Sequence, residues 1–369
     1  VDKGNYDHFM QKEIFEQPQA IRDTLESRIT NDSVITSSFG YKAQNIFNNT
    51  KQIQIVACGT SYNAGLVAKY WIEDIAKIPC SVEVASEYRY RHPILLDQTL
   101  FITLSQSGET ADTLEALKIA KVINISVRSL CISNSPESSL TRLSDLTFLT
   151  HAGPEIGVAS TKAFTTQLVS LALLTCSIGK LNNKIHKSQE KEIVKGLKKL
   201  PGLITEALLQ ENQIKKLATR FIDKNSALFL GRGTMHAIAM EGALKLKEIS
   251  YIHAEAYPAG ELKHGPIALI DKEMPVIAIA PNDELLEKLK SNLQEVKSRG
   301  SQMIVFEDKG SKVKSMKAME VIPITSNLGR ITAPIIFTIP LQLLSYHVAL
   351  IKGTDVDKPR NLAKSVTVE

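Results

Sequence analysis

The sequence predicts an α/β protein made of two tandem domains, each a parallel β-sheet sandwiched by helices in flavodoxin-like layers, followed by a C-terminal tail. Two observations lead to this fold class. From Ile53 onward, short apolar runs alternate with segments of helical length, as expected for strands buried on both faces of a parallel sheet. Residues 227–234 then resemble residues 53–60, with Thr234 aligned on Thr60. This recurrence indicates two copies of one α/β unit.

The composition is that of an ordinary globular protein. The chain has 369 residues, which is long enough for two domains with full cores. Of these residues, 43% are hydrophobic and 22% are charged, as in other globular proteins. There are 44 Lys and Arg residues against 39 Asp and Glu, a net charge of only +5, and the basic cluster 184–199 contains interleaved acids. Nucleic-acid binding is therefore not indicated. A mildly basic protein suits small anionic metabolites better.

Several other classes of protein are not indicated either. The apolar stretch 331–351 contains Pro334, Pro340 and polar residues, which predicts a buried helix and not a membrane span. The cysteines form no CxxC pair and the histidines no metal-ligand spacing, so we expect reduced thiols, no metal and a cytoplasmic protein. Residues 231–236 lack the third glycine of a dinucleotide fingerprint, and residues 157–162 resemble a P-loop only loosely. No cofactor is expected.

The predicted elements divide the chain into four parts. Residues 1–32 are a helical lead-in packed on the first domain, residues 33–200 the first domain with a helical linker, residues 201–352 the second domain, and residues 353–369 a tail without periodicity. The Pro201-Gly202 pair is expected to end the linker helix. The first domain should contain strands 53–57, 81–85, 100–104 and 129–132 and helices 62–75 and 111–121.

Residues 105–110 carry the clearest ligand-binding pattern. Hydroxyls, an amide and a glycine follow an apolar strand and open a helix. Backbone N–H groups and the helix dipole attract an anion there, and Ser105, Ser107 and Thr110 can each donate a hydroxyl proton to phosphate. A helix N-cap with a capping box is the local alternative. The second copy lacks these hydroxyls at residues 280–283, so one phosphate site per chain is expected.

A second pattern suggests proton-transfer chemistry. Glu241, Lys245 and Glu248 have the spacing that places them on one face of a helix. A solvated ladder of surface ion pairs is the alternative, but this helix follows the glycine-rich turn 231–234, where an open α/β sheet binds ligands. A carboxylate beside a lysine can move a proton between adjacent carbons of a sugar. His264, in a Gly/Pro loop, is either a surface histidine or a residue that opens a sugar ring.

Five segments together closely resemble one enzyme family. They are residues 105–113, 157–164, 241–256, 260–266 and 357–369. The family is glucosamine-6-phosphate synthase, also called glutamine:fructose-6-phosphate amidotransferase (isomerising). The resemblance covers essentially the whole chain and implies the C-terminal half of that enzyme, which is built from two sugar isomerase (SIS) domains. The family's N-terminal glutaminase domain has no counterpart in this sequence.

The resemblance also implies a role for each candidate residue. Glu248 corresponds to the base that moves a proton between carbons 1 and 2, Lys245 to a stabiliser of the enolate-like intermediate, and Glu241 to a partner that orients the histidine. His264 corresponds to the ring-opening residue, which the neighbouring subunit of a homodimer delivers. Lys364 corresponds to a lysine that forms an imine with the ketose carbonyl. The implied substrate-binding residues are Thr60, Ser61, Ser105, Gln106, Ser107, Thr110, Val158 and Ala363.

The implied activity is formation of glucosamine 6-phosphate from fructose 6-phosphate and ammonia, the first step of the hexosamine pathway to UDP-GlcNAc. Its partners would be the sugar substrate, the glutaminase domain of the full-length enzyme and a second subunit. A non-catalytic SIS protein that senses a phosphosugar is the main alternative, but a sensor does not need Glu248, His264 and Lys364 together. A plain aldose-ketose isomerase of independent origin is the third possibility, and a glutaminase domain encoded upstream would discriminate against it.

Overall fold

The computed structural model describes residues 2–315 and 319–368. The chain divides into two compact units, each containing one copy of the repeat. The first-repeat unit comprises Gln19–Glu155, Lys162–Lys199 and Ala363–Glu369. The second-repeat unit comprises Val1–Pro18, Ile156–Thr161 and Leu200–Leu362.

Between residues 52 and 149, strands and helices alternate as the apolar pattern predicts. The strands are short and apolar because both of their faces are covered, and every residue of the third strand is buried. The helices and strands that precede the second repeat are, in chain order, α1 (Phe9–Phe15), α2 (Gln17–Leu25), α3 (Ala43–Asn49), β1 (Gln52–Ala57), α4 (Gly59–Trp71), β2 (Cys80–Val84), α5 (Ala85–Tyr88), β3 (Thr99–Ser105), α6 (Ala111–Ile123), β4 (Arg128–Ser133), α7 (Ser139–Leu143), β5 (Leu146–Leu149), α8 (Lys162–Leu181) and α9 (Lys187–Leu208).

The sheet of the first-repeat unit is parallel, with strand order β2-β1-β3-β4-β5. The chain leaves β1 toward β2 on one side and returns to β3 on the other. The carboxyl ends of β1 and β3 are therefore neighbours, with Ala57 opposite Leu104. In open α/β sheets this switch point is the place where ligands bind.

The second repeat has the same architecture, which confirms the predicted duplication. Its sheet has the order β7-β6-β8-β9-β10 and is also parallel. Its elements are α10 (Glu211–Ala218), β6 (Ser226–Gly231), α11 (Thr234–Ser250), β7 (His253–Pro258), β8 (Pro275–Ala280), α12 (Leu286–Lys297), β9 (Gln302–Asp308), β10 (Met319–Thr325) and α13 (Thr332–Lys352).

Two local expectations are wrong. The linker helix α9 does not end at Pro201 but continues to Leu208. The buried side chains of Leu197, Leu200 and Ile204 on one face of α9 outweigh the hydrogen bond that the proline cannot donate. The lead-in is predicted to belong entirely to the first domain, but its first 18 residues belong to the compact unit that contains the second repeat. Its helical character is confirmed by α1 and α2.

The long apolar helices α8 and α13 belong to the protein core. Both are long and apolar enough to cross a membrane by length and composition alone, but 89% of each apolar window is buried inside the protein. The prediction of a buried helix over residues 331–351 is confirmed by α13. All four cysteines are free thiols. Burial raises the pKa of the thiols of Cys80, Cys131 and Cys176 to about 12, which makes them poor nucleophiles.

Candidate active site

Two helices begin at the switch point of the first-repeat sheet. α4 follows β1 directly, so Thr60 and Ser61 lie in its first turn. α6 follows β3 after the loop 105–110. Because β1 and β3 are paired along their length, both sets of hydroxyl groups lie at the same edge of the sheet. The first N–H groups of a helix have no partner within the helix, so two helix N-termini favour a negatively charged guest there.

Hydrogen bonds within the loop hold its hydroxyl groups close together. The hydroxyls of Ser105 and Thr110 are 2.9 Å apart, and the Gly108 N–H donates to the Ser105 oxygen at 3.0 Å. The Glu109 N–H donates to Ser107 at 3.2 Å. Thr110 is the N-cap residue of α6, but its side chain accepts no hydrogen bond from the helix backbone. The capping-box alternative is therefore wrong for Thr110.

The loop is held against the neighbouring segment of the chain. The Glu109 carboxylate accepts a hydrogen bond from the Ser139 N–H at 2.7 Å, and hydrogen bonds from the side chain and the N–H of Ser139 lower the pKa of Glu109. Gly108 has φ +68°, and a Cβ there would lie 2.0 Å from the Ser138 hydroxyl. Only glycine fits both the left-handed backbone and the available space.

The C-terminal tail reaches the same unit. The carbonyl of Val366 accepts a hydrogen bond from the Ala111 N–H at 3.1 Å, at the first residue of α6. Lys364 Nζ lies 2.6 Å from Glu155 Oε2, and the Glu155 side chain is fully buried. The other Glu155 oxygen accepts from the Ala163 N–H at 3.0 Å, in the first turn of α8. Sequence reasoning missed Glu155, because no periodicity or motif links it to a lysine more than 200 residues away.

The predicted charged cluster forms on α11 in the second-repeat unit. Lys245 Nζ lies 2.6 Å from Glu248 Oε2 and 3.5 Å from Glu241 Oε1. The side chains of Lys245 and Glu241 are 1% and 2% exposed, while that of Glu248 is 21% exposed. The alternative of a solvated surface ladder is thus wrong. The arrangement leaves Glu248 as the accessible carboxylate of a buried charged cluster.

His264 and Val158 lie elsewhere in the second-repeat unit. His264 ends the 3-10 turn Ala259–His264, in which Ala259 and Leu262 are buried and His264 is exposed. The turn therefore presents the imidazole outward. The Val158 N–H donates to the carbonyl of Asp357 at 3.0 Å, so the Val158 segment contacts the beginning of the tail.

The structure gathers the predicted residues into two sets, one in each unit. The first-repeat unit holds the hydroxyl loop, the α4 hydroxyls and the tail lysine, and the second-repeat unit holds the α11 cluster. Ala363, Val158 and His264 lie on separate segments. Within residues 2–315 and 319–368, no group of three or more His, Cys, Asp or Glu side chains is placed to hold a metal ion.

Comparison with known proteins agrees with the duplicated fold. The SIS domain family model matches residues 46–177 and again residues 220–352. The glutamine–fructose-6-phosphate aminotransferases (isomerizing) of Pseudomonas putida and Aliivibrio fischeri are each 58% identical to this chain over its whole length. The chain spans 60% of the length of these curated relatives.

Solved structures resemble this chain over almost its whole length. The C-terminal domain of glucosamine-fructose-6-phosphate aminotransferase from Francisella tularensis is 54% identical, with a TM-score of 0.95 over 97% of this chain and 100% of that one. A glucosamine-6-phosphate deaminase from Thermotoga maritima, 24% identical with a TM-score of 0.74 over 97% of this chain and 99% of that one, shares the fold. The chain therefore belongs to the glutamine–fructose-6-phosphate aminotransferase family, as its C-terminal isomerase part with two SIS domains.

Proposed function

We propose that this chain binds fructose 6-phosphate and converts it between ketose and aldose forms. With ammonia from a glutaminase domain, the complete cytoplasmic enzyme would form glucosamine 6-phosphate, the first step of the hexosamine pathway. The observation that carries the proposal is the α11 cluster, in which a buried lysine lies 2.6 Å from an accessible carboxylate. A protein that only senses a phosphosugar has no use for such a pair.

The phosphate end of the sugar is assigned to the first-repeat sheet edge. The hydroxyls of Ser61, Ser107 and Thr110 are partly accessible and lie beside two helix N-termini. Ser107 already accepts a hydrogen bond from the Glu109 N–H, so its own proton is available to donate to a phosphate oxygen. Thr60, Ser105 and Gln106 complete this set.

Glu248 is assigned the proton transfer. Its carboxylate removes the proton from carbon 1 of the open-chain ketose, and the electron pair forms the enediolate whose negative charge rests on the oxygen of carbon 2. The Lys245 ammonium stabilises that charge. Glu248 then returns the proton to carbon 2, while the hydroxyl on carbon 1 becomes the aldehyde by losing its own proton to the oxygen of carbon 2.

Ring opening and carbonyl activation are assigned to His264 and Lys364. His264 is exposed in a single chain, which supports its delivery to the site of a second subunit in a homodimer, with Glu241 orienting it. In the amination, where nitrogen replaces the oxygen of carbon 2, Lys364 can pass a proton to Glu155, 2.6 Å away, and its neutral amine can then attack carbon 2 and form an imine with loss of water. Val158 and Ala363 are assigned contacts with the sugar.

The direct test is to incubate the purified chain with fructose 6-phosphate and to follow glucose 6-phosphate. We expect its formation without glutamine or ammonia, because isomerisation needs only the proton transfer at carbons 1 and 2. A heat-denatured sample is the control. Binding of fructose 6-phosphate without turnover would overturn the proposal and favour the phosphosugar sensor.

Replacing Ser107 by alanine should mainly weaken substrate binding. A hydrogen bond to a charged group contributes about 1.5–3 kcal/mol, so we expect KM for fructose 6-phosphate to rise roughly 10- to 100-fold with little change in kcat. Ser144→Ala is the matched control, because the Ser144 hydroxyl donates a local hydrogen bond to the Leu140 carbonyl at the end of α7. An unchanged KM in Ser107→Ala would remove this residue from the phosphate site.

A further inference from the structure

The short N-terminal helix α1 contacts the segment that carries Val158 through a buried carboxylate. Glu13 is 2% exposed. Its Oε1 accepts hydrogen bonds from two successive backbone N–H groups, those of Ile156 at 2.5 Å and Gly157 at 3.2 Å. Burying a carboxylate is costly unless hydrogen bonds compensate for the lost water, so these two bonds tie the segment to α1.

The close packing at Gly157 tightens this contact. A Cβ at Gly157 would lie 2.9 Å from Glu13 Oε2 and 3.6 Å from the backbone of Met10. The peptide therefore runs directly against α1. Val158 is the next residue, so its position follows from the orientation of this peptide.

The start of the tail contacts both α1 and the Val158 segment. The two carboxylate oxygens of Asp357 accept hydrogen bonds from the N–H groups of Phe9 and Met10 at 2.9 and 2.8 Å. The carbonyl of the same Asp357 accepts from the Val158 N–H at 3.0 Å. A closed ring of hydrogen bonds thus links α1, the Val158 segment and the start of the tail.

The far end of the segment is held by buried amides. Gln342 donates to the Thr161 carbonyl at 3.3 Å and accepts from Gln17 at 2.7 Å. Both glutamines are fully buried. Segment 156–161 is therefore fixed at both ends by groups from the start of the chain and from α13, and Glu13 contributes a charged group to these contacts.

We propose that Glu13 is a positioning residue, which fixes segment 156–161 and thereby presents Val158 to the sugar and aligns the start of the tail. The effect of Glu13 on catalysis rests on the proposed function. Its role in fixing segment 156–161 does not depend on that function. Glu13 touches no substrate in this role. It acts through the backbone of residues 156–158.

The first measurement is independent of activity. Hydrogen-deuterium exchange should show faster exchange over residues 156–161 in Glu13→Ala, because the two amides lose their acceptor. Glu13→Gln keeps an oxygen acceptor and should exchange at an intermediate rate. Glu16→Ala is the matched control, since Glu16 lies one residue beyond α1, pairs with Lys12 at 3.5 Å and has a side chain that is 35% exposed. Equal exchange in all variants would overturn the proposal even if the wild-type chain were inactive.

The second measurement separates positioning from general stability. Misplacement of a substrate-contacting segment by about 1 Å can cost on the order of 100-fold in rate, so we expect kcat/KM for fructose 6-phosphate to fall roughly 10- to 100-fold in Glu13→Ala and less in Glu13→Gln. Competitive inhibition by inorganic phosphate should not change, because the hydroxyl loop belongs to the first-repeat unit. An unchanged kcat/KM, or a parallel loss of phosphate inhibition, would show that Glu13 has no specific positioning role.

Discussion

Replacing Glu248 by glutamine is expected to lower kcat for isomerisation about 1,000-fold, within the range of a lost general base, while fructose 6-phosphate still binds. Glutamine matches the size of glutamate but cannot accept a proton from carbon 1. Lys245 would still face Glu241, 3.5 Å away, so the buried cation would keep a carboxylate partner. The two measurements are the rate of glucose 6-phosphate formation and the exchange of the carbon 1 proton with solvent deuterium.

The control for this variant is Glu255→Gln. Glu255 lies on the edge strand β7, in the same unit, and its pKa is lowered by a hydrogen bond from Tyr257. We expect this variant to retain wild-type activity. Full activity in Glu248→Gln would mean that another group is the base, whereas loss of both binding and turnover would point to a structural role for Glu248.

Replacing Gly108 by alanine is expected to disrupt the phosphate loop. A left-handed backbone costs a non-glycine residue about 1–2 kcal/mol, and overpacking adds about 1–3 kcal/mol. The added methyl would collide with Ser138, which lies 2.0 Å from the ideal Cβ position. We expect KM for fructose 6-phosphate to rise by more than about tenfold, because moving the loop misdirects its hydroxyls. Thermal unfolding and steady-state kinetics measure the two effects.

Gly353→Ala is the control that separates the cost of the left-handed backbone from the cost of the steric collision at Gly108. Gly353 follows α13 with φ +69°, almost the same as the +68° of Gly108, but a Cβ there meets nothing within 4 Å. We expect it to lose only the backbone cost of about 1–2 kcal/mol and to bind substrate normally. Equal melting temperatures and an unchanged KM in the two variants would show that close packing at Gly108 is dispensable.

The sequence predicted local features well because they depend on neighbours in the chain. The spacing of Glu241, Lys245 and Glu248 places them on one helical face whatever surrounds the helix, and α11 confirms it. The hydroxyl loop likewise follows a strand and opens a helix, as expected. The sequence favoured a ligand site over a solvated ladder because the helix follows the glycine-rich turn 231–234, but the extent of burial of Lys245 and Glu241 depends on distant elements.

At Pro201, in contrast, a prediction from the local sequence was wrong. The Pro201-Gly202 pair is a strong local signal for the end of a helix, yet α9 continues through it. Apolar side chains on one face of the helix are buried in the folded protein, and that gain exceeds the cost of the missing N–H. A local rule therefore failed because tertiary packing overrode it.

By itself, the sequence determined the duplicated α/β architecture, the hydroxyl loop of the first copy and the one-sided charge pattern of α11, since periodicity and turn residues encode them locally. Only the tertiary structure decided that Lys245 is buried against two carboxylates, that Glu155 meets Lys364, and that Glu13 ties residues 156 and 157 to α1. Glu13 and Glu155 each contact residues more than 140 positions away, and no sequence periodicity extends over such separations.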